Sequence, residues 1–253
     1  MGDYGLGPVK AGKEVSMQYA ASPVLADAIF PRIGSDSRAG VWAREAVLIV
    51  GFAVFVALLA QVQVRVPWTT VPITGQTFGA LVAGGALGMR RGVASLTLYA
   101  IVGMLLLPVF TPASNITSGT WDLHFVLPWK GTEAYLWNIT SGGYIVGFIL
   151  AAGLAGWLAE RRVDRGPWVH VGMLSANALV YVPGLLWLAY LIGTDWVAPG
   201  GTRPVSELIA GSDTLDKTLK GGLYPFIVGD LMKLFAASMA LPAAWAIVAR
   251  VRR

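Results

Sequence analysis

Cysteine is absent from the 253 residues. Disulfides, iron–sulfur clusters and thiolate metal sites are therefore excluded within this chain. Charge is scarce as well. Only 13% of residues are Asp, Glu, Lys or Arg, about half the share of an ordinary soluble domain. The two histidines, His124 and His170, lie too far apart for a metal site. They read as surface or interfacial residues, and no cofactor is expected. The first 40 residues lack a basic start followed by an apolar stretch, so no cleavable signal peptide is expected.

What is abundant is apolar. Hydrophobic residues make up 55% of the chain, and the mean hydropathy is +0.63. Long apolar runs with so little charge point to lipid as the solvent. Ten Trp and 31 Gly fit that class, since Trp favours bilayer interfaces and Gly lets packed helices approach. The net charge of +5 does not argue for nucleic acid, because the basic residues sit at the ends of apolar runs, as topology signals do.

The pattern predicts an all-α membrane protein, a six-transmembrane-helix bundle over residues 44–250 behind an N-terminal extension, 1–43. A short amphipathic stretch is expected near Met17–Phe30. Spanning helices are expected at Arg44–Val64, Thr77–Gly88 (short), Val93–Phe110, Gly142–Ala159, Trp168–Ile192 (interrupted by Pro183-Gly184) and Leu223–Val248. Residues 111–140 and 193–221 read as long polar loops. Thirteen Lys and Arg fall on the side of the termini against five on the other. That bias places both termini in the cytoplasm and the long loops outside.

Asp230 and Lys233 stand inside the last apolar run. Intramembrane charge costs about 2.5–3.5 kcal/mol per group on insertion scales and is a functional hypothesis by default. Their i, i+3 spacing sets them on one helix face. The expected depth is about 10–15 Å below the outer helix end, at 1.5 Å per residue. The plainer alternative is a pair that merely neutralises itself. Thr74 and Gln76, in Val71–Thr77, can hydrogen-bond a ligand or simply form a Pro-Gly turn with a capping Thr. Asn138 and Tyr144 flank the start of the fourth helix, where free N–H groups suit a carboxylate. The alternative there is an ordinary cap by Thr140 or Ser141. Asn177 and Tyr181, i and i+4, face the same cavity or bond a neighbouring helix. Ala53 and Ala57 form a small-residue stripe for a partner protein or a sibling helix. Gly84/Gly88 and Gly143/Gly147 repeat that spacing as internal packing.

Gly7–Glu14 nearly matches a P-loop. It ends in Glu14 where a hydroxyl must hold Mg²⁺, and no strand precedes it. The chain is therefore not expected to hydrolyse ATP itself. Asn115-Ile116-Thr117 and Asn138-Ile139-Thr140 match the glycosylation pattern, which matters only in a eukaryotic secretory pathway.

Five segments in register resemble the BioY family, the biotin-specific capture subunits of energy-coupling-factor transporters. They are Val71–Phe78, Leu87–Gly92, Leu107–Phe110, Gly142–Phe148 and Gly222–Lys233. The resemblance covers about residues 44–250. It implies a six-helix bundle in the cell membrane of a bacterium or archaeon. A biotin pocket is implied near the outer face, closed by the loop between the first two helices. Asp230 and Lys233 become the polar anchors, offering acceptors and donors to a cyclic urea. Gln76, Asn138, Tyr144, Asn177 and Tyr181 are weaker carry-overs. The implied partners are a transmembrane coupling protein and a cytoplasmic ATPase pair, with Ala53 and Ala57 at the docking face. Three departures stand out: the long N-terminal tail, the expansion at Trp121–Leu136, and Asn138–Ser141 where the family commonly has Gly-Pro-Thr-Gly. Competing readings are a stand-alone carrier, a carrier for another vitamin, and an intramembrane enzyme using Asp230. The last lacks a nucleophile–base pair or metal cluster.

Overall fold

The structure, a computed structural model, describes residues 24–30, 37–112 and 121–251. Gly7–Glu14 and Asn115-Ile116-Thr117 lie outside them, as does the expected amphipathic stretch before Val24.

Lipid offers no hydrogen bonds, so apolar runs must satisfy their backbone internally as helices. Six main helices follow: α2 (Arg38–Gln61), α3 (Gln76–Leu87), α4 (Met89–Leu105), α5 (Gly142–Glu160), α6 (Val169–Gly193) and α9 (Ile227–Val251). Before them comes α1 (Leu25–Ile29), and between α6 and α9 lie the short α7 (Val205–Leu208) and α8 (Thr214–Gly222). Among the described residues, α2, α5, α6 and α9 are long and apolar enough to cross a membrane. The 12 residues of α3 reach only about 18 Å at 1.5 Å each.

Differences from the expected boundaries have local causes. Helix α2 begins at Arg38, ahead of Arg44, because Ser37 Oγ caps it by accepting from Gly40 N at 3.1 Å. Helix α6 runs unbroken through Pro183; packed neighbours let a membrane helix tolerate the lost donor. The last helix starts at Ile227 rather than Leu223, and α8 occupies the end of the segment read as a polar loop. The fold is also not purely helical. Strands β1 (Gln63–Arg65), β2 (Ile73–Thr74) and β3 (Asp122–His124) form an antiparallel sheet in the order β2-β1-β3. Three residues are too few for a strand's period to show in sequence. The sheet also buries His124, contrary to the surface or interfacial position expected of it.

Consecutive main helices alternate in direction, so the bundle has two distinct ends. One holds the sheet with the described connecting residues 62–75, 106–112, 121–141 and 194–226. The other holds α1, the turn at Gly88, the 161–168 connection and the Arg250 end of α9. At this second end Asp27 of α1 pairs with Arg44 at 2.8 Å and Arg91 at 2.9 Å. Glu45 bridges the same two arginines.

Helix α5 is the centre. Its most apolar stretch is 67% buried, against 22–39% for the other three long helices. Glycine makes this possible. A Cβ on Gly84 would lie 2.2 Å from the Ala152 carbonyl oxygen of α5. Between α3 and α4 the chain reverses at Gly88, whose φ of +85° suits only glycine readily. Glu160 Oε1 then caps α4 by accepting from Met89 N at 2.9 Å.

Gly84→Val should overpack the α3–α5 contact and lower stability by about 1–3 kcal/mol. Gly51→Ala, whose Cβ meets nothing within 4 Å, should be neutral or slightly stabilising. Thermal unfolding of the two variants in detergent checks the contrast.

Candidate functional site

The first turn of α9 carries Asp230. This is shallower in its helix than the apolar run suggested, because the chain turns at 223–226 before α9 begins. The position has a physical merit. A helix N-terminus bears partial positive charge and favours a carboxylate there.

Asp230 is buried, and three side chains donate to it. Tyr181 Oη donates to Oδ2 at 2.6 Å. Lys233 Nζ donates to Oδ1 at 2.8 Å, and Thr77 Oγ1 reaches the same oxygen at 3.4 Å. A carboxylate offers about four acceptor sites and an ammonium three donors. The cluster therefore retains hydrogen-bonding capacity of both kinds.

Around it the sequence places rigid supports. Gln76 opens α3. Its Oε1 accepts from Thr74 Oγ1 at 2.8 Å, and its Nε2 donates to Tyr99 Oη at 2.7 Å. Tyr144 of α5 donates to the Gly222 carbonyl at 2.8 Å. Its ring lies edge-on to Tyr181, with centroids 6.3 Å apart. Gly184 makes this approach possible, since a Cβ there would fall 2.6 Å from the Tyr144 ring.

Asp230, Lys233, Tyr181, Tyr144, Gln76 and Thr74 line one cavity. Its free space is only about 30 Å³, room for little more than one water. Val71 and Pro72, from the connection between β1 and β2, also line it. That connection is tied down on both flanks. Thr69 Oγ1 donates to the Gly221 carbonyl, and Thr140 Oγ1 donates to the Thr70 carbonyl at 3.0 Å.

Two expected members lie apart. Asn138 lines a separate, larger cavity of about 870 Å³ at the sheet end. Pro72 and Ser141 belong to both cavities, so the larger one sits directly beside the smaller. Asn177 is buried a turn away from Tyr181 without lining either, and its Oδ1 has no hydrogen-bond partner among the described residues. Neither Thr140 nor Ser141 caps α5 through its side chain. The glycines at that helix start make room for neighbouring backbone. A Cβ on Gly142 would lie 1.9 Å from the Leu136 carbonyl oxygen, and one on Gly143 2.4 Å from that of Pro183.

Ala53 and Ala57 are 7% and 6% exposed and belong to the core cluster. In this bundle their face meets sibling helices, which is the other of the two roles open to them. Their small size lets α2 lie close to α3 and α4.

Further residues take part that the sequence pattern does not mark. Thr77 donates to Asp230, Tyr99 orients Gln76, and Phe226 and Phe148 supply apolar wall. Thr77 was within reach, since it directly follows Gln76 in the same motif. Tyr99 was not, because only the fold brings α4 against α3.

Comparison with known proteins agrees with this architecture. A family model described as "BioY family" matches residues 31–250. A protein of Pyrococcus horikoshii named probable biotin transporter BioY is 28% identical over 195 residues, covering 77% of this chain and 92% of that protein. The biotin transporter BioY of Rhizobium etli is 27% identical over 197 residues, covering 78% and 90%. A solved S-component for biotin from an ECF-type ABC transporter superposes with a TM-score of 0.60 at 17% identity, covering 83% of this chain and 94% of that one. With its family match spanning nearly all the described bundle, the chain is a membrane protein that belongs to the BioY family.

Proposed function

We propose that this chain captures biotin in the cavity around Asp230 and carries it across the cell membrane as the substrate-binding subunit of an energy-coupling-factor transporter. One observation carries the reading. Asp230, Lys233 and Tyr181 form a desolvated cluster with donors and acceptors to spare, inside a membrane protein whose named relatives transport biotin. A cyclic urea presents two N–H donors and one carbonyl acceptor. The Asp230 carboxylate suits the former and the Lys233 ammonium the latter.

The Lys and Arg bias supports both termini in the cytoplasm. Six helices then span the bilayer, the short α3 sheltered by its neighbours, and the sheet end faces outward. Biotin arrives through the larger cavity, past Asn138 and Ser141. The small cavity must widen to admit it. The 66–72 connection is the element to move, because side-chain hydrogen bonds at Thr69 and Thr140 hold it where regular structure does not. Energy for release comes from a coupling protein and its ATPase pair.

Titration calorimetry of the purified chain tests the ligand. Asp230→Asn and Lys233→Ala should each weaken biotin by about 1–3 kcal/mol, the cost of an unpaired buried polar group. Desthiobiotin keeps the cyclic urea and should suffer the same losses. Unchanged affinity in both variants would leave the pair a structural role only. Transport by the chain alone in liposomes without ATPases would favour a stand-alone carrier instead.

The pair also has a stability signature. Lys233→Met strands a buried carboxylate and should cost about 3 kcal/mol. Adding Asp230→Asn should recover much of that loss. Thermal unfolding of the single and double variants without ligand checks the recovery.

A further inference from the structure

Trp121–Trp129 contributes to neither cavity. It places a bulky apolar side chain at every second position: Trp121, Leu123, Phe125, Leu127 and Trp129. All five are exposed, from 39% at Trp129 to 80% at Leu127. Between them His124 is buried, whereas Asp122 and Pro128 are exposed. Contiguous exposed apolar surface of this kind marks an interaction site.

Hydrogen bonds fix the depth of the strip. Lys130 N donates to Oε1 of Gln61, the last residue of α2, at 3.4 Å. Strand β3 pairs with β1 in the register Gln63↔His124 and Val64↔Leu123, immediately beyond that helix end. Trp129 Nε1 donates to the Pro108 carbonyl at 2.8 Å, next to the exposed Leu105, Leu106 and Leu107 at the end of α4. The 24 residues of α2 extend about 36 Å at 1.5 Å each, slightly more than a hydrocarbon core of about 30 Å. The strip therefore lies where hydrocarbon gives way to headgroups. Trp beside aliphatic side chains is the composition of that zone.

We propose that Trp121–Trp129 is an interfacial anchor, seating its apolar side chains among the phospholipids of the leaflet at the sheet end. The strip continues the exposed apolar flank of α4, and in a membrane protein one bilayer covers both surfaces together. The anchor also reaches the small cavity. Strand β3 is bonded to β1 and β1 to β2, whose Thr74 donates to Gln76. Lipid contact at one edge of the sheet thus steadies the strand that lines the cavity at the other.

A cysteine-free chain makes the test direct. Leu123→Cys, Leu127→Cys and, for comparison, the exposed Ser212→Cys are introduced singly into the full chain. Each carries a nitrobenzoxadiazole label in phosphatidylcholine–phosphatidylglycerol vesicles. The expected result is blue-shifted emission at 123 and 127, strong quenching by lipids bearing a nitroxide near the headgroup, and iodide quenching several-fold weaker than at 212. Labels at 123 and 127 as open to iodide as at 212, and untouched by nitroxide lipid, overturn the proposal. Protection from iodide without nitroxide quenching also overturns it, because the strip then meets protein. None of these readouts involves biotin, so the outcome is independent of the function proposed above.

Discussion

A carboxylate held between a phenol, an ammonium and a hydroxyl is the constraint around which the described bundle is arranged. Asp230 is tolerated in an apolar setting because it begins a helix and because Tyr181, Lys233 and Thr77 each donate to it. Those donors come from α6, α9 and α3. Three helices must therefore converge within hydrogen-bonding reach, and the close packing elsewhere serves that convergence.

Glycine is the means of convergence. Gly84 lets α3 touch the backbone of α5, Gly143 and Gly147 let α5 touch that of α6, and Gly184 admits the ring of Tyr144. Without water or a strong hydrophobic driving force between helices, close approach and dispersion supply much of the association energy. The fold trades side-chain volume for contact, and the polar cluster sits where the resulting gap remains.

Much of this was legible in the residues. The long apolar runs marked the helices, and unusual intramembrane charge marked Asp230 and Lys233. Thr74, Gln76, Tyr144 and Tyr181 joined them because their motifs flank helix starts or share a face. The small sheet was not legible, because its strands are two and three residues long and its pairing is non-local. Asn138 and Asn177 lie outside the small cavity for a related reason. Each is near the cavity along the chain, but the side-chain direction that decides membership comes only from packing. The inward face of Ala53 and Ala57 likewise depended on which side of α2 meets α3 and α4.

The fused backbones of α3, α5 and α6 make one stiff block, whereas α9 is the least buried of the four long helices. The two charges of the site thus ride on the long helix with the smallest buried share, facing helices joined by backbone contact. Any change in the cavity's shape is then partitioned unevenly. It falls on α9, whose apolar stretch has the smallest buried share of the four long helices, and on the 66–72 connection, which side-chain hydrogen bonds hold in place.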